Sequence, residues 1–225
     1  MKINTETPIR FQTDNELLLL TSELRKYFAE KPADVEATQK EVYLAMILKE
    51  ADEVLVARER SRRHLFYFCK EMEDKFFTED KPHVLILTML FDLAEEDVIK
   101  NFTCSMPPRG GKSHTSTLAI DREIGLHPER THMRNSYSAK LAVDKLSHTV
   151  REHVKSEPFK RIFPEIIIDR NANKKDRWYL EGNTIPAYIA SGIGGSVSGF
   201  GCDGFAVLDD EYADIGTASS EVERK

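Results

Sequence analysis

The stretch "VIKNFTCSMPPRGGKSHTSTLAIDREIGL", residues 98–126, constrains the fold more than any other part of the chain. Its first half is rich in β-branched and aromatic residues and predicts a strand. Its second half predicts a helix that ends at Gly125 and Pro128. Between them lies Gly110-Gly111-Lys112-Ser113. A strand that turns through glycines into a helix aims unpaired helix amides, and the positive end of the helix dipole, at one point. That point suits a phosphate group.

The loop departs from the usual phosphate-loop pattern. Met106 stands where the first glycine is expected, and Pro107-Pro108 stiffen the entry while removing two amides from the cradle. Gly110 and Gly111 let the backbone curl close to an anion. Lys112 has the reach for β- and γ-phosphates, Ser113 offers a hydroxyl to Mg²⁺, and Arg109 restores positive charge. His114 follows inside the loop helix and joins the cofactor-binding set by position, a structural role being the plainer reading.

A phosphate loop that drives hydrolysis also needs carboxylates at the end of a neighbouring strand. "FAVLDDEY" supplies them: an apolar run, Phe205 to Leu208, ends in Asp209-Asp210-Glu211. Asp209 directly follows the run and is the candidate metal ligand. Asp210 or Glu211 would orient the attacking water. Strand alternation places Asp209 and Glu211 on one face and Asp210 on the other, which leaves the catalytic carboxylate open between the two.

The first 80 residues read as helical. "TDNELLLLTSELRKYFAE" opens with Thr13 and Asp14 as caps and repeats Leu17, Leu20, Leu24 and Phe28 at helical spacing. The next periodic stretch is too long for one ordinary helix and predicts a break near residues 57–61. "KPHVLILTMLFDLAEED" predicts a buried helix after Pro82. Beyond residue 99, "RTHMRNSYS" predicts a strand, and "AKLAVDKLSHTVREHVKSEPF" an amphipathic helix. "DRWYLEGNTIPAYIAS" predicts two short strands around Gly182-Asn183. Alternating strands and helices predict a mainly parallel sheet flanked by helices, over residues 81–225, with residues 1–80 as a helical subdomain or cover.

Composition narrows the setting. A 40% hydrophobic and 31% charged chain reads as globular and soluble. The net charge of −6 argues against a surface that coats nucleic acid all round, but allows a local basic patch. Three cysteines without paired spacing predict free thiols in a reducing compartment. "ARERSRR", with Arg58, Arg60, Arg62 and Arg63, reads as a solvated helix face or, less simply, as a contact for DNA phosphates. Trp178 reads as core.

Taken in order, "SMPPRGGKS", "NSYSAKLAVDKLSHTVREHV", "FKRIFPE" and "DRWYLEGNTIPAYIASGIGGSVSGFGCDGFAVLDDEY" resemble the large terminase subunit of tailed bacteriophages, the ATPase that packages DNA into a prohead. The resemblance covers residues 61–211. It implies a RecA-like P-loop NTPase core with an additional strand and catalytic carboxylate, ATP and Mg²⁺ as cofactors, and hydrolysis coupled to movement of double-stranded DNA. By matching position it assigns Lys112 and Ser113, with Gly110 and Gly111, to phosphate and magnesium. Arg109 becomes the loop arginine at the γ-phosphate, and Asp209 with Asp210 or Glu211 the acidic motif. "SRRHLFYF", residues 61–68, is the closest match to the segment near adenine. The implied partners are the portal of the prohead, the small terminase subunit and further copies of the chain in a pentameric ring. The implied setting is the host-cell cytoplasm, with no membrane.

Departures accompany the likeness. The family continues past the acidic cluster into a coupling motif and a nuclease domain, so DNA cleavage is not expected of these 225 residues, which read as a shortened chain or one part of a split gene. Phe200 stands where some members carry an arginine, which leaves the trans-acting finger unassigned. Two other readings stay open: a helicase-like DNA-dependent P-loop ATPase, and a nucleotide-binding assembly module without turnover.

Overall fold

Thr13 caps the first helix as its sequence predicts. Its N–H donates to Glu16 Oε2 at 2.7 Å, and the Glu16 N–H donates to Thr13 Oγ1 at 3.4 Å. This reciprocal pair starts α1 (Asp14–Ala29), in which Leu17, Leu20 and Leu24 are buried. In this computed structural model, which describes residues 7–30, 38–192 and 201–209, α1 lies against α2 (Gln39–Arg63). Leu20, Leu24, Leu44 and Ile47 close a small apolar cluster between them.

The break expected near residues 57–61 falls slightly later: α2 runs on to Arg63, the chain turns extended at His64, and a new helix starts at Leu65. Within α2, Arg58 is 2% exposed. Its guanidinium donates to Arg161 O at 2.5 Å, Asp14 Oδ1 at 2.8 Å and Arg10 O at 3.1 Å. Arg62 pairs with the same Asp14 and donates to Ile162 O at 2.7 Å. Arg58 and Arg62 of "ARERSRR" are thus bound into a seam, while Arg60 lies over the Tyr67 ring and Arg63 pairs with Glu59.

Helix α3 (Leu65–Met72) packs in the main core together with α4 (Pro82–Glu95) and α5 (Lys112–Leu126). Pro82 starts α4 from its first turn, where a missing N–H costs nothing. α5 ends at Leu126, between Gly125 and Pro128 as the sequence predicts, and residue 125 must be glycine because a Cβ there would come within 2.4 Å of the Phe163 ring. The predicted amphipathic helix forms in pieces: π-helical turns over Leu141–Ser147 run into α6 (His148–Lys155), and α7 (Glu157–Ile162) follows a Ser156 cap.

The sheet has five strands in the order β2-β3-β4-β1-β5, with β1 (His132–Ser136), β2 (Ile168–Asn173), β3 (Arg177–Leu180), β4 (Tyr188–Gly192) and β5 (Ala206–Asp209). The protein is therefore α/β, but the sheet is mixed rather than mainly parallel. β1 pairs parallel with β4 and β5, whereas β3 pairs antiparallel with both β2 and β4. The tight turn at Gly182 (φ +80) leaves no room for a crossover, so β3 and β4 must run in opposite directions. Trp178 is buried in the core and stacks on Tyr188 at 5.6 Å.

The strand predicted before the glycine loop is also corrected. Residues 101–106 keep a period of two, with Phe102, Cys104 and Met106 half-buried against the core and Asn101, Thr103 and Ser105 exposed. They join no ladder, because among the described residues the sheet ends at β5. Side-chain alternation sets which face is buried; a strand also needs a neighbour for its amides.

Candidate functional site

Helix α5 begins at the glycine loop. Gly111 caps it in the left-handed region (φ +93), and a Cβ there would lie 2.7 Å from the Phe76 ring, so both backbone and space demand glycine. Arg109 adopts φ +65, unusual for a side-chain-bearing residue, and is exposed at the loop crest. Residues 106–114 and Phe76 wall a cavity of about 620 Å³. Arg109, Gly110, Gly111, Lys112, Ser113 and His114 therefore all line one space.

Asp209 comes to the same place from the far end of the sequence. It is the last residue of β5 and is buried. Ser113 Oγ donates to Asp209 Oδ1 at 2.9 Å, across 96 residues of chain. Two cis oxygen ligands of an octahedral ion with bonds of about 2.1 Å are separated by about 3.0 Å, so this hydroxyl and carboxylate are spaced as Mg²⁺ would take them. Asp210 and Glu211 lie outside the described residues.

Arg134 carries no local sequence signal. This β1 residue is fully buried, and its guanidinium donates to Asp209 Oδ2 at 2.6 Å. It also donates to Ser113 O and Ser116 Oγ, each at 3.0 Å, and to Thr117 Oγ1 at 2.5 Å. β1 and β5 pair in register, Ser136 opposite Asp209, which puts Arg134 on the face of the sheet that Asp209 uses. One guanidinium thereby ties the first turn of the loop helix to the tip of β5.

His114 reaches sideways from the loop helix. Its ring stacks on Phe77 at 5.3 Å, and Nε2 lies 2.6 Å from Glu73 Oε2. Burial lowers its pKa, against the pull of the Glu73 carboxylate. Deeper along α5, the fully buried Asp121 meets His153 Nδ1 at 2.6 Å. Burial pushes Asp121 up to about 6 despite that partner.

Residues 61–68, expected near a base, do not wall the cavity. Leu65, Phe66 and Phe68 are core, and the aromatic ring at the mouth belongs to Phe76. Its signal was present in "DKFFTED", but nothing local links that turn to the loop. Among the described residues no helix is long and apolar enough to cross a membrane.

Fold and site together define an α/β protein with a mixed five-stranded sheet whose buried strand-end aspartate meets a glycine loop at a helix N-terminus. Comparison with protein-family models, with curated proteins and with solved structures finds no match.

Proposed function

We propose that the chain is the ATPase region of a viral DNA-packaging motor, built on a RecA-like P-loop core. One observation carries the reading: Ser113 and Asp209, far apart in sequence, meet at 2.9 Å where the glycine loop enters α5. A serine after Gly-Lys and a strand-end aspartate are the pair that a Mg²⁺-nucleotide site requires.

In this reading Gly110 and Gly111 present backbone amides to the phosphates, and Lys112 places its ammonium against the β- and γ-phosphates. Ser113 and Asp209 would hold Mg²⁺, which when bound neutralises charge on those oxygens. Arg134 fixes the direction of the Asp209 carboxylate. Arg109 faces the γ-phosphate from the crest of the loop. The carboxylate that orients water is Asp210 or Glu211. Positioning and electrostatics supply the rate, since phosphoryl transfer asks little covalent chemistry of the protein. The assignment to packaging, with double-stranded DNA, portal, small subunit and a pentameric ring as partners in the host cytoplasm, rests on the ordered terminase-like segments.

Phosphate release from Mg-ATP, measured with and without double-stranded DNA, tests this. Turnover that disappears in Lys112→Ala, with the circular dichroism unchanged, is the expected result. Nucleotide binding without turnover would replace the motor with a nucleotide-binding module. Equal turnover in the variant would remove the loop from the chemistry.

A further inference from the structure

The far end of α5 carries a second cluster of donors, remote from the glycine loop. Glu123 and His127 stand four residues apart at the end of α5, so their side chains share a face. Glu95, the last residue of α4, meets them from the neighbouring helix. Glu95, Glu123 and His127 are the one trio of possible ligands among the described residues whose donor atoms all lie within 4.8 Å of one another. From Ser113 the distance along the helix is about 20 Å at about 1.5 Å per residue, so the two sites are separate.

Two features point to a ligand there. His127 Nε2 and Glu95 Oε1 are 3.2 Å apart. Two donors on a tetrahedral ion with bonds of about 2.0–2.1 Å stand about 3.3 Å apart. The second feature is Glu123 itself, which is 1% exposed. Its Oε1 accepts from Arg130 Nη1 at 2.9 Å, but its buried Oε2 has no hydrogen-bond partner among the described residues. A buried carboxylate oxygen without a donor calls for a proton or a cation. The seam one turn earlier needs neither, because there Asp92 pairs with Arg122 at 2.6 Å. Around His127 the balance differs: Glu95 and the outlying Glu129 lie against the imidazole, and of the three carboxylates Glu123 alone pairs with a guanidinium, Arg130. The carbonyl end of α5 adds further negative potential.

We infer that Glu95, Glu123 and His127 form a binding site for a divalent transition-metal ion of the Zn²⁺ class. One imidazole nitrogen and two carboxylates suit such an ion, and the nitrogen disfavours Mg²⁺ and Ca²⁺. The ion clamps the C-terminal ends of α4 and α5 together and satisfies Glu123 Oε2. Arg130 holds the other oxygen of Glu123 and sets the carboxylate's direction, as outer partners of metal ligands do.

Chelator-treated full chain, titrated with Zn²⁺ by calorimetry and with Co²⁺ by visible absorption in millimolar Mg²⁺, tests the site. The expected result is one ion per chain with micromolar affinity, a raised melting temperature, and a Co²⁺ spectrum lacking a thiolate charge-transfer band. His127→Gln and Glu95→Gln, both at partly exposed positions, each weaken binding about tenfold or more while leaving ATP binding unchanged. Millimolar or non-stoichiometric binding, a thiolate band, or equal affinity in both variants would overturn the assignment. Loss of ATP binding in wild type would leave these outcomes unaffected, so the two sites fail or stand independently.

Discussion

Apart from the buried Arg58 and Glu41 of α2, the α1–α2 hairpin and the region around α5 solve burial in opposite ways. The hairpin closes on four aliphatic side chains and leaves Leu18, Leu19, Val42, Tyr43 and Met46 more than half exposed. The α5 region buries charge: Asp121, Arg122, Glu123, Arg134 and Asp209 are all buried. Apolar packing is forgiving and non-directional, whereas a buried charge must find a partner of the right geometry. The hairpin cluster is therefore held by shape and area, and the charged interior by the geometry of its pairs.

The strongest way to break this contrast is Arg134→Ala. It leaves Asp209 and the first turn of α5 without their common donor, and removing one partner of a buried ion pair costs about 3–5 kcal/mol. Urea unfolding reads that loss; a change below about 1 kcal/mol would mean the guanidinium is not the tie described here. Leu24→Ala should cost about 2–5 kcal/mol as a cavity in the small hairpin cluster. Hydrogen exchange should rise in α1 and α2 while α5 keeps its protection. Uniform loss of protection would show that the two regions unfold as one.

His132 tests the charged side by pH. It is fully buried, and burial lowers its pKa to about 3 from 6.5. Above pH 6.5 the ring is neutral in both states and costs nothing. Below it the unfolded chain takes up a proton that the folded chain refuses, so stability falls with pH. Between pH 6.5 and 5 the loss is about 2 kcal/mol, and His132→Gln should remove that part of the acid limb. Identical pH profiles would contradict a neutral buried ring. The smallest effect belongs to the hairpin: Thr13→Ala removes the cap of α1 at a cost of about 1 kcal/mol, seen as fraying of its first turn.

What could be read in advance followed locality. Thr13-x-x-Glu16 and the leucine spacing specify α1 within one segment, and the observed cap matches them. The glycine turn and the apolar run into Asp209 were legible for the same reason. Arg134 was not, because an arginine within "HMRNS" looks like the solvent side of a strand until Asp209 is known to lie 2.6 Å away. The mixed sheet was missed because alternating helices outweighed the hairpin signal at Gly182. Residues 101–106 carry strand propensity and alternation, yet their state depends on a neighbour that no local pattern specifies. Glu123 and His127 share a helix face at readable spacing, but Glu95 joins them only through the packing of α4 on α5.

The central claim is that the glycine loop and Asp209 form one Mg²⁺-nucleotide site. Calorimetric titration of the chain with ATP, with and without Mg²⁺, tests it most directly when repeated on Lys112→Ala and Asp209→Asn. The account predicts Mg²⁺-dependent binding in wild type, weakened about a hundredfold or more in Lys112→Ala, and no longer Mg²⁺-dependent in Asp209→Asn. Equal affinity in wild type and both variants, or no binding at all by the folded wild type, would contradict it.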